Sequence, residues 1–195
     1  HNEKHSLGCI CCPNYGGVNS AYGQSGVDLS ALGWTKLTEM PSTPTDYYYV
    51  MTDKDNEQLM VGIAAGVNQK ESGKNSYCPF YQTATNPSTD LSKVWAIENN
   101  TNKGAGYYSF RSAAQPQQVL QTVWNDARFC RTNDQQSNST WSSWKIAYAD
   151  SYFTVQNGNY PESGYWGAWE DVEPANDVEF AANKTGDKIR QFNIY

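Results

Sequence analysis

Along this chain apolar residues fall two apart in short runs, and the gaps between runs are filled by Asn, Asp, Gly, Ser and Pro. A spacing of two marks one face of a β-strand, because side chains alternate across the pleat. Three runs share a signature: Val94-Trp95-Ala96-Ile97, Ser143-Trp144-Lys145-Ile146 and Gln191-Phe192-Asn193-Ile194. The aromatics at 95, 144 and 192 lie 49 and 48 residues apart, and an isoleucine follows each by two. Phe80 and Phe129 precede their tryptophans by 15 residues, and Phe180 precedes Phe192 by 12. Further upstream stand Tyr48-Tyr49-Val50, Tyr108-Ser109-Phe110 and Phe153-Thr154-Val155, with Met60, Leu120 and Tyr165 ten residues beyond their last members. Turn formers separate them: 53–56, Gln115-Pro116-Gln117, and Asn157-Gly158-Asn159 with Pro161.

Each unit of about 40 to 50 residues therefore reads as four short strands, and such a unit cannot bury its apolar face alone. The pattern predicts an all-β fold, a β-trefoil of three pseudo-repeats and about twelve strands over residues 45–195, with an N-terminal Cys/Gly-rich extension over 1–44. The core is assigned to Trp95, Trp144 and Phe192 with Phe80, Phe129 and Phe180. Alternation places Tyr165 toward it and Trp166 outward. A helical turn is predicted only around Asp28 to Leu32, Gly33-Trp34-Thr35-Lys36-Leu37 reads as a strand leading in, and Pro41-Ser42-Thr43-Pro44 as a stiff linker.

Gly106-Tyr107-Tyr108-Ser109-Phe110-Arg111-Ser112, Val119-Leu120, Phe129-Cys130 and Trp144-Lys145-Ile146 together resemble one repeat of a ricin-B-type (R-type lectin-like) trefoil. The resemblance covers about residues 45–195 and implies that fold and a carbohydrate-binding role. The chain departs from the family's pattern at recognisable places. Lys93, Ser142 and Arg190 stand where the repeat has the glutamine of Gln-x-Trp, Phe192 replaces the third tryptophan, and the second-strand Cys-Leu-Asp run is absent. A fold does not carry its function with it, so the site has to be argued from residues.

Composition narrows the function. Of 195 residues 38% are hydrophobic and 14% aromatic, which fits short strands and long polar loops. A net charge of −6 with no Lys/Arg block argues against nucleic acid, whose binding rests on neutralising phosphates. No apolar run approaches the roughly 20 residues that span a bilayer. Asn99, Asn138 and Asn183 lie in Asn-x-Ser/Thr sequons, while Pro87 disqualifies Asn86. The balance is that of a secreted or cell-surface protein.

Trp124, Trp141, Tyr160, Trp166 and Trp169 fall outside the period and stand near Asn, Asp, Glu and Ser. A flat aromatic face suits the C–H side of a sugar while nearby amides and carboxylates take its hydroxyls. These five are the candidate ligand-binding residues, and a glycan or glycoprotein is the expected partner.

His1, His5, Cys9, Cys11 and Cys12 crowd the first twelve residues. Thiolate and imidazole are metal ligands, but Cys9-x-x-Cys12 lacks a second pair, so no metal or cofactor is assigned. Five cysteines leave at least one unpaired within a monomer, and Cys11 and Cys12 are badly placed to bond each other. One of the three arm cysteines can reach Cys78 or Cys130, which are otherwise buried thiols. A bridge between chains through Cys9, Cys11 or Cys12 would make the arm an assembly device, and the alternative function is a structural or protein-interaction subunit. The two histidines lie within the first five residues, and no Gly-x-Ser-x-Gly or paired-carboxylate signal appears, so no enzyme is expected.

Overall fold

The computed structural model describes residues 26–65, 77–123, 126–133, 139–160 and 162–195, with no side-chain detail over 123–138. The strands are β1 (Tyr48–Tyr49), β2 (Met51–Asp53), β3 (Leu59–Ala65), β4 (Tyr77–Thr83), β5 (Trp95–Asn99), β6 (Tyr107–Ser112) and β7 (Val119–Val123). There follow β8 (Asp126–Asn133), β9 (Trp144–Ala149), β10 (Tyr152–Asn157), β11 (Tyr165–Ala168), β12 (Val178–Lys184) and β13 (Phe192–Ile194). Among the described residues there is no α-helix, only short 3-10 turns such as Leu91–Lys93, Thr140–Ser142 and Gly186–Lys188. No helix among them is long and apolar enough to cross a membrane.

Six strand runs close into a ring, with β1 and β2 one run broken at Val50. Two kinds of cross-strand pair alternate around it. Tyr49 faces Trp95, Tyr108 faces Trp144, and Phe153 faces Phe192. Between these come Ile97 with Phe110, Ile146 with Val155, and Ile194 with Met51. Closure leaves no ring strand with an open edge. The hairpins β3–β4, β7–β8 and β11–β12 stand off the ring, and β12 also pairs with β4.

The signature aromatics Trp95, Trp144 and Phe192 are fully buried, as are their isoleucines. The Trp95 indole N–H donates to the Val61 carbonyl at 2.9 Å, and that of Trp144 to the Leu120 carbonyl at 3.0 Å. Phe192 has no such donor, and the carbonyl of Trp166 takes the Arg190 backbone N–H at 2.9 Å instead.

The structure corrects the expected core in two places. Up to β4, core positions lie one residue later than spacing predicts: Met51, Val61 and Tyr81 join the main cluster, whereas Val50 and Met60 belong to a second one. Each of these sites has an apolar neighbour, so hydrophobicity alone cannot choose the face, and a one-residue slip exchanges the faces. The second correction is Trp166, expected outward, which is 0% exposed at the centre of the core while Tyr165 is half-buried. The register shifts between Tyr165 and Trp166, and an irregularity of this kind breaks the alternation used to assign the faces.

Residues 26–40 account for the second cluster. Leu29 and Trp34 pack with Val50, Met60 and Tyr195, covering what would otherwise be an apolar outer face. The Leu32 N–H reaches the Asp28 carbonyl at 3.1 Å, one turn without a helix, closed by Gly33 at φ 91°. The expected strand at 33–37 is absent as such, although the Leu37 N–H bonds the Ile194 carbonyl at 2.8 Å. Pro44 is buried and its carbonyl accepts the Tyr49 hydroxyl at 2.8 Å, so the linker's end is packed against the ring. His1, His5, Cys9, Cys11 and Cys12 lie outside the described residues; Cys78 is a buried thiol on β4.

Candidate functional site

Two of the five candidate aromatics are brought together where the turn before β9 meets the turn after β10. Ser139 starts the 3-10 turn Thr140–Ser142 with a reciprocal capping box: its hydroxyl accepts the Ser142 N–H, and the Ser142 hydroxyl accepts the Ser139 N–H. This fixes Trp141 in the middle of the turn. Across from it Asn157, fully buried at the end of β10, donates its Nδ2 to the Trp141 carbonyl at 3.0 Å and accepts the Asn159 N–H at 3.0 Å. The asparagine is thereby spent on scaffold: it ties one turn to the other and starts its own.

The second turn is equally constrained. Tyr160 donates its N–H to the Asn157 carbonyl at 3.1 Å, and its own carbonyl accepts the Gly164 N–H at 2.9 Å and the Gln156 amide at 3.2 Å. Gly158 donates to the Ser143 carbonyl at 2.7 Å, and a Cβ there would lie 3.0 Å from the Ser143 Cβ, which is why the two turns can approach so closely. The result is a Trp141–Tyr160 pair with ring centres 6.1 Å apart and planes at 61°, both half-buried. Half-buried Asn159 and exposed Glu162 and Ser163 flank it, and the stem of Lys103 lies beside Gly158. Chemically this is an apolar face with amide, carboxylate and hydroxyl residues close to it along the chain.

The other three candidates are elsewhere. Trp166 is inside the core, with Phe110, Trp144, Phe180 and Phe192 all within 6.0 Å ring to ring, and has no face for a ligand. Trp169 follows β11, half-buried, its carbonyl accepting the Lys184 ammonium at 3.3 Å beside the Lys184–Asp171 ion pair at 2.8 Å. Trp124 lies outside the described residues.

The residues after Val61 on β3 and Trp166 on β11 are Gly62 and Gly167. A Cβ at Gly62 would meet the Gln82 side chain at 2.3 Å, and one at Gly167 would meet the Lys188 carbonyl at 2.4 Å. The space beside both strands is filled.

At the acidic tip 53–57 the first residue is buried, not solvated. Asp53 is 7% exposed, accepts the Tyr81 hydroxyl at 2.8 Å, and accepts the backbone N–H groups of Asp55 and Asn56 at 3.1 Å each. Burial, with the Asp53 charge and hydrogen bond behind it, pushes the Tyr81 hydroxyl far above its ordinary range and keeps it a donor. Beside this tip opens a cleft of about 250 Å³, walled by 53–56, 173–174 and 189–191. Its walls join the turn at 53–56 to two segments more than a hundred residues later in the chain, so no local pattern in the sequence announces it.

Neither a protein-family model nor a curated relative matches this sequence. Solved structures do match in fold. A mosquitocidal holotoxin superposes with a TM-score of 0.55 at 15% identity over 75% of this chain, which spans 17% of that protein. The designed three-fold symmetric protein ThreeFoil gives 0.56 at 10% identity, covering 75% of this chain and 96% of its own. A lectin from Polyporus squamosus, solved with the human-type influenza-binding epitope Neu5Aca2-6Galb1-4GlcNAc, gives 0.55 at 11% identity, with 75% and 48% covered. The chain shares the β-trefoil fold of these structures.

Proposed function

We propose that this chain is a non-enzymatic carbohydrate-binding module of a secreted or cell-surface protein, built on three pseudo-repeats, and that the Trp141–Tyr160 pair is its sugar platform. The observation that carries the site is the pair itself: two aperiodic aromatics, 19 residues apart in sequence, held with ring centres 6.1 Å apart by a capped turn and a buried asparagine. A platform held this way spends little ordering entropy when a ligand docks. The aromatic faces would take the C–H side of a ring, and Asn159 and Glu162 its hydroxyls.

The three-repeat reading is supported by equivalences beyond the ring pairs. Asp53, Ser112 and Asn157 end β2, β6 and β10, and each side chain accepts a backbone N–H two residues on, from Asp55, Ala114 and Asn159. The Polyporus squamosus lectin, of which the match covers 48%, was solved with an oligosaccharide bound, which supports the class of ligand without naming one.

The test is a glycan array with the parent chain, Trp141→Ala and Tyr160→Ala. Binding to a defined group of glycans that both variants lose is the expected result. Binding that survives in both variants moves the site away from this pair, and absence of binding in the parent overturns the reading.

A further inference from the structure

We infer that the cleft beside β2 and β13 is a second saccharide subsite, one that takes a single uncharged sugar ring and rejects anionic ones. The inference rests on the glycan-binding reading above and deepens it. The cleft occupies the same kind of junction as the aromatic pair: the turn after one ring strand (β2 here, β10 there) meets the segment leading into another (β13 here, β9 there).

Its size sets what it can hold. At about 250 Å³ it falls below the roughly 300–1,000 Å³ of pockets for drug-sized ligands, so it accommodates one ring and not an oligosaccharide. Leu59, Pro174 and Ile189 contribute apolar surface. Some of the polar groups are already engaged. Arg190 donates its Nη2 to the Val172 carbonyl at 2.8 Å while its Nε is buried without a hydrogen-bond partner, and the Lys54 ammonium lies 4.8 Å above the Tyr152 ring. The Asp53 carboxylate is used by Tyr81 and two backbone N–H groups. The carboxylates of Asp55 and Glu173, the Gln191 amide and the Asn56 Nδ2 remain to meet a ligand. Two acceptors-only groups and two amides suit adjacent hydroxyls, which give a proton to one neighbour and take one from another.

The walls are also fixed before any ligand arrives. Asn193, buried between β2 and β13, donates its Nδ2 to Thr52 Oγ1 at 3.2 Å and to the carbonyls of Asp53 and Lys54 at 3.3 Å each. That amide holds the turn from below while Arg190 holds residues 172–174 from the other side. The lining carries three carboxylates, Asp53, Asp55 and Glu173, against two cations, Lys54 and Arg190, so a ligand carboxylate or sulfate would meet a wall of net negative charge.

The experiment is an amide chemical-shift titration of the full chain with the methyl glycosides of galactose, N-acetylglucosamine, glucosamine and glucuronic acid. The expected result is that the neutral glycosides shift the Asn56 and Gln191 amides, and that the glucuronide binds at least tenfold more weakly. Glu173→Ala combined with Gln191→Ala should weaken those shifts tenfold or more and leave any at Tyr160 unchanged. Shifts confined to Trp141 and Tyr160 would overturn this subsite and leave the proposed function standing. Shifts from glucosamine alone would make the cleft an ammonium site and overturn the sugar assignment. If no glycoside moves any amide and the array is blank as well, both readings fall together.

Discussion

Trp166 meets Phe192 edge to face, ring centres 6.0 Å apart and planes at 88°, and between them these two residues trade the sizes found elsewhere around the ring. In the first two segments a tryptophan begins the last strand and a smaller residue, Val61 or Leu120, holds the second-strand position. In the last segment the signature residue is the smaller phenylalanine and the second-strand residue is the tryptophan. The core is filled by the sum of the two, as close packing requires.

Phe192→Trp alone should then overpack the core by about 1–3 kcal/mol, and Trp166→Leu alone should leave a cavity worth about 2–5 kcal/mol. Together they restore the arrangement of the other segments, and the double variant should be more stable than the sum predicts by at least about 1 kcal/mol. Denaturant unfolding of the four proteins measures it. Strict additivity would mean the two side chains do not share one volume.

That exchange also shows where the sequence could be read and where it could not. The strand-start aromatics and their isoleucines were visible because one signature recurs at spacings of 49 and 48 residues, and all six are in the core. The faces of the first segment were not, because Val50-Met51, Met60-Val61 and Phe80-Tyr81 are each apolar on both sides. Residues 26–40, through Leu29 and Trp34, supply the cover that makes both faces buried. Trp166 was hidden by a register shift that leaves no mark in composition. At the site, Trp141 and Tyr160 stood out as aperiodic aromatics, but their meeting depends on Asn157, whose role looks from sequence like that of any turn asparagine.

Asn157 should therefore separate scaffold from platform. Asn157→Ala leaves the Trp141 carbonyl and the Asn159 N–H without their partners, costing about 1–3 kcal/mol, and lowers glycan affinity by letting the turns separate. Trp141→Ala removes a half-buried ring and should lower affinity at a smaller cost in stability. Thermal unfolding beside glycan titration distinguishes the two. Equal loss of stability in both variants would mean the ring, and not the asparagine, joins the turns.

Asp90 gives a pH dependence with a definite sign. Its carboxylate accepts hydrogen bonds from Thr85, Ser92 and Lys93, each at 2.6 Å. Burial works against its charge, but the bonds from Lys93, Ser92 and Thr85 outweigh that and hold the carboxyl well below the usual range. A carboxyl whose folded pKa is depressed stabilises fully above its unfolded value of about 3.9 and loses that stabilisation as pH falls further. Stability of the parent should drop between about pH 4 and pH 2, and Asp90→Asn should flatten that limb. At neutral pH the variant leaves the Lys93 side chain, 9% exposed, without its counter-charge. The cost should sit near the low end of the roughly 3–5 kcal/mol for a broken buried pair, since Asp90 itself is 29% exposed. Urea unfolding across pH measures both, and an unchanged acid limb would assign it to other carboxylates.

Gly62 and Gly167 occupy matching second-strand positions, yet alanine should be tolerated at one and not at the other. At Gly62 the new methyl would meet Gln82 Oε1 at 2.3 Å, the far end of a flexible side chain, and the Ser92 carbonyl only at 3.1 Å. Gln82 Oε1 is buried without a hydrogen-bond partner, so swinging that amide aside forfeits no hydrogen bond at that atom. At Gly167 the methyl would lie 2.4 Å from the Lys188 carbonyl and 2.5 Å from Lys184 Cγ. The carbonyl belongs to the 3-10 turn Gly186–Lys188 leading toward Phe192, and Lys184 is held by Asp171 and the Trp169 carbonyl. Neither can move without disturbing the approach to β13. Overpacking against backbone should cost Gly167→Ala about 3 kcal/mol, while Gly62→Ala should stay within about 1 kcal/mol of the parent. Denaturant midpoints of the two variants decide it, and a Gly167→Ala protein as stable as Gly62→Ala would show that the turn before β13 yields more readily than its packing suggests.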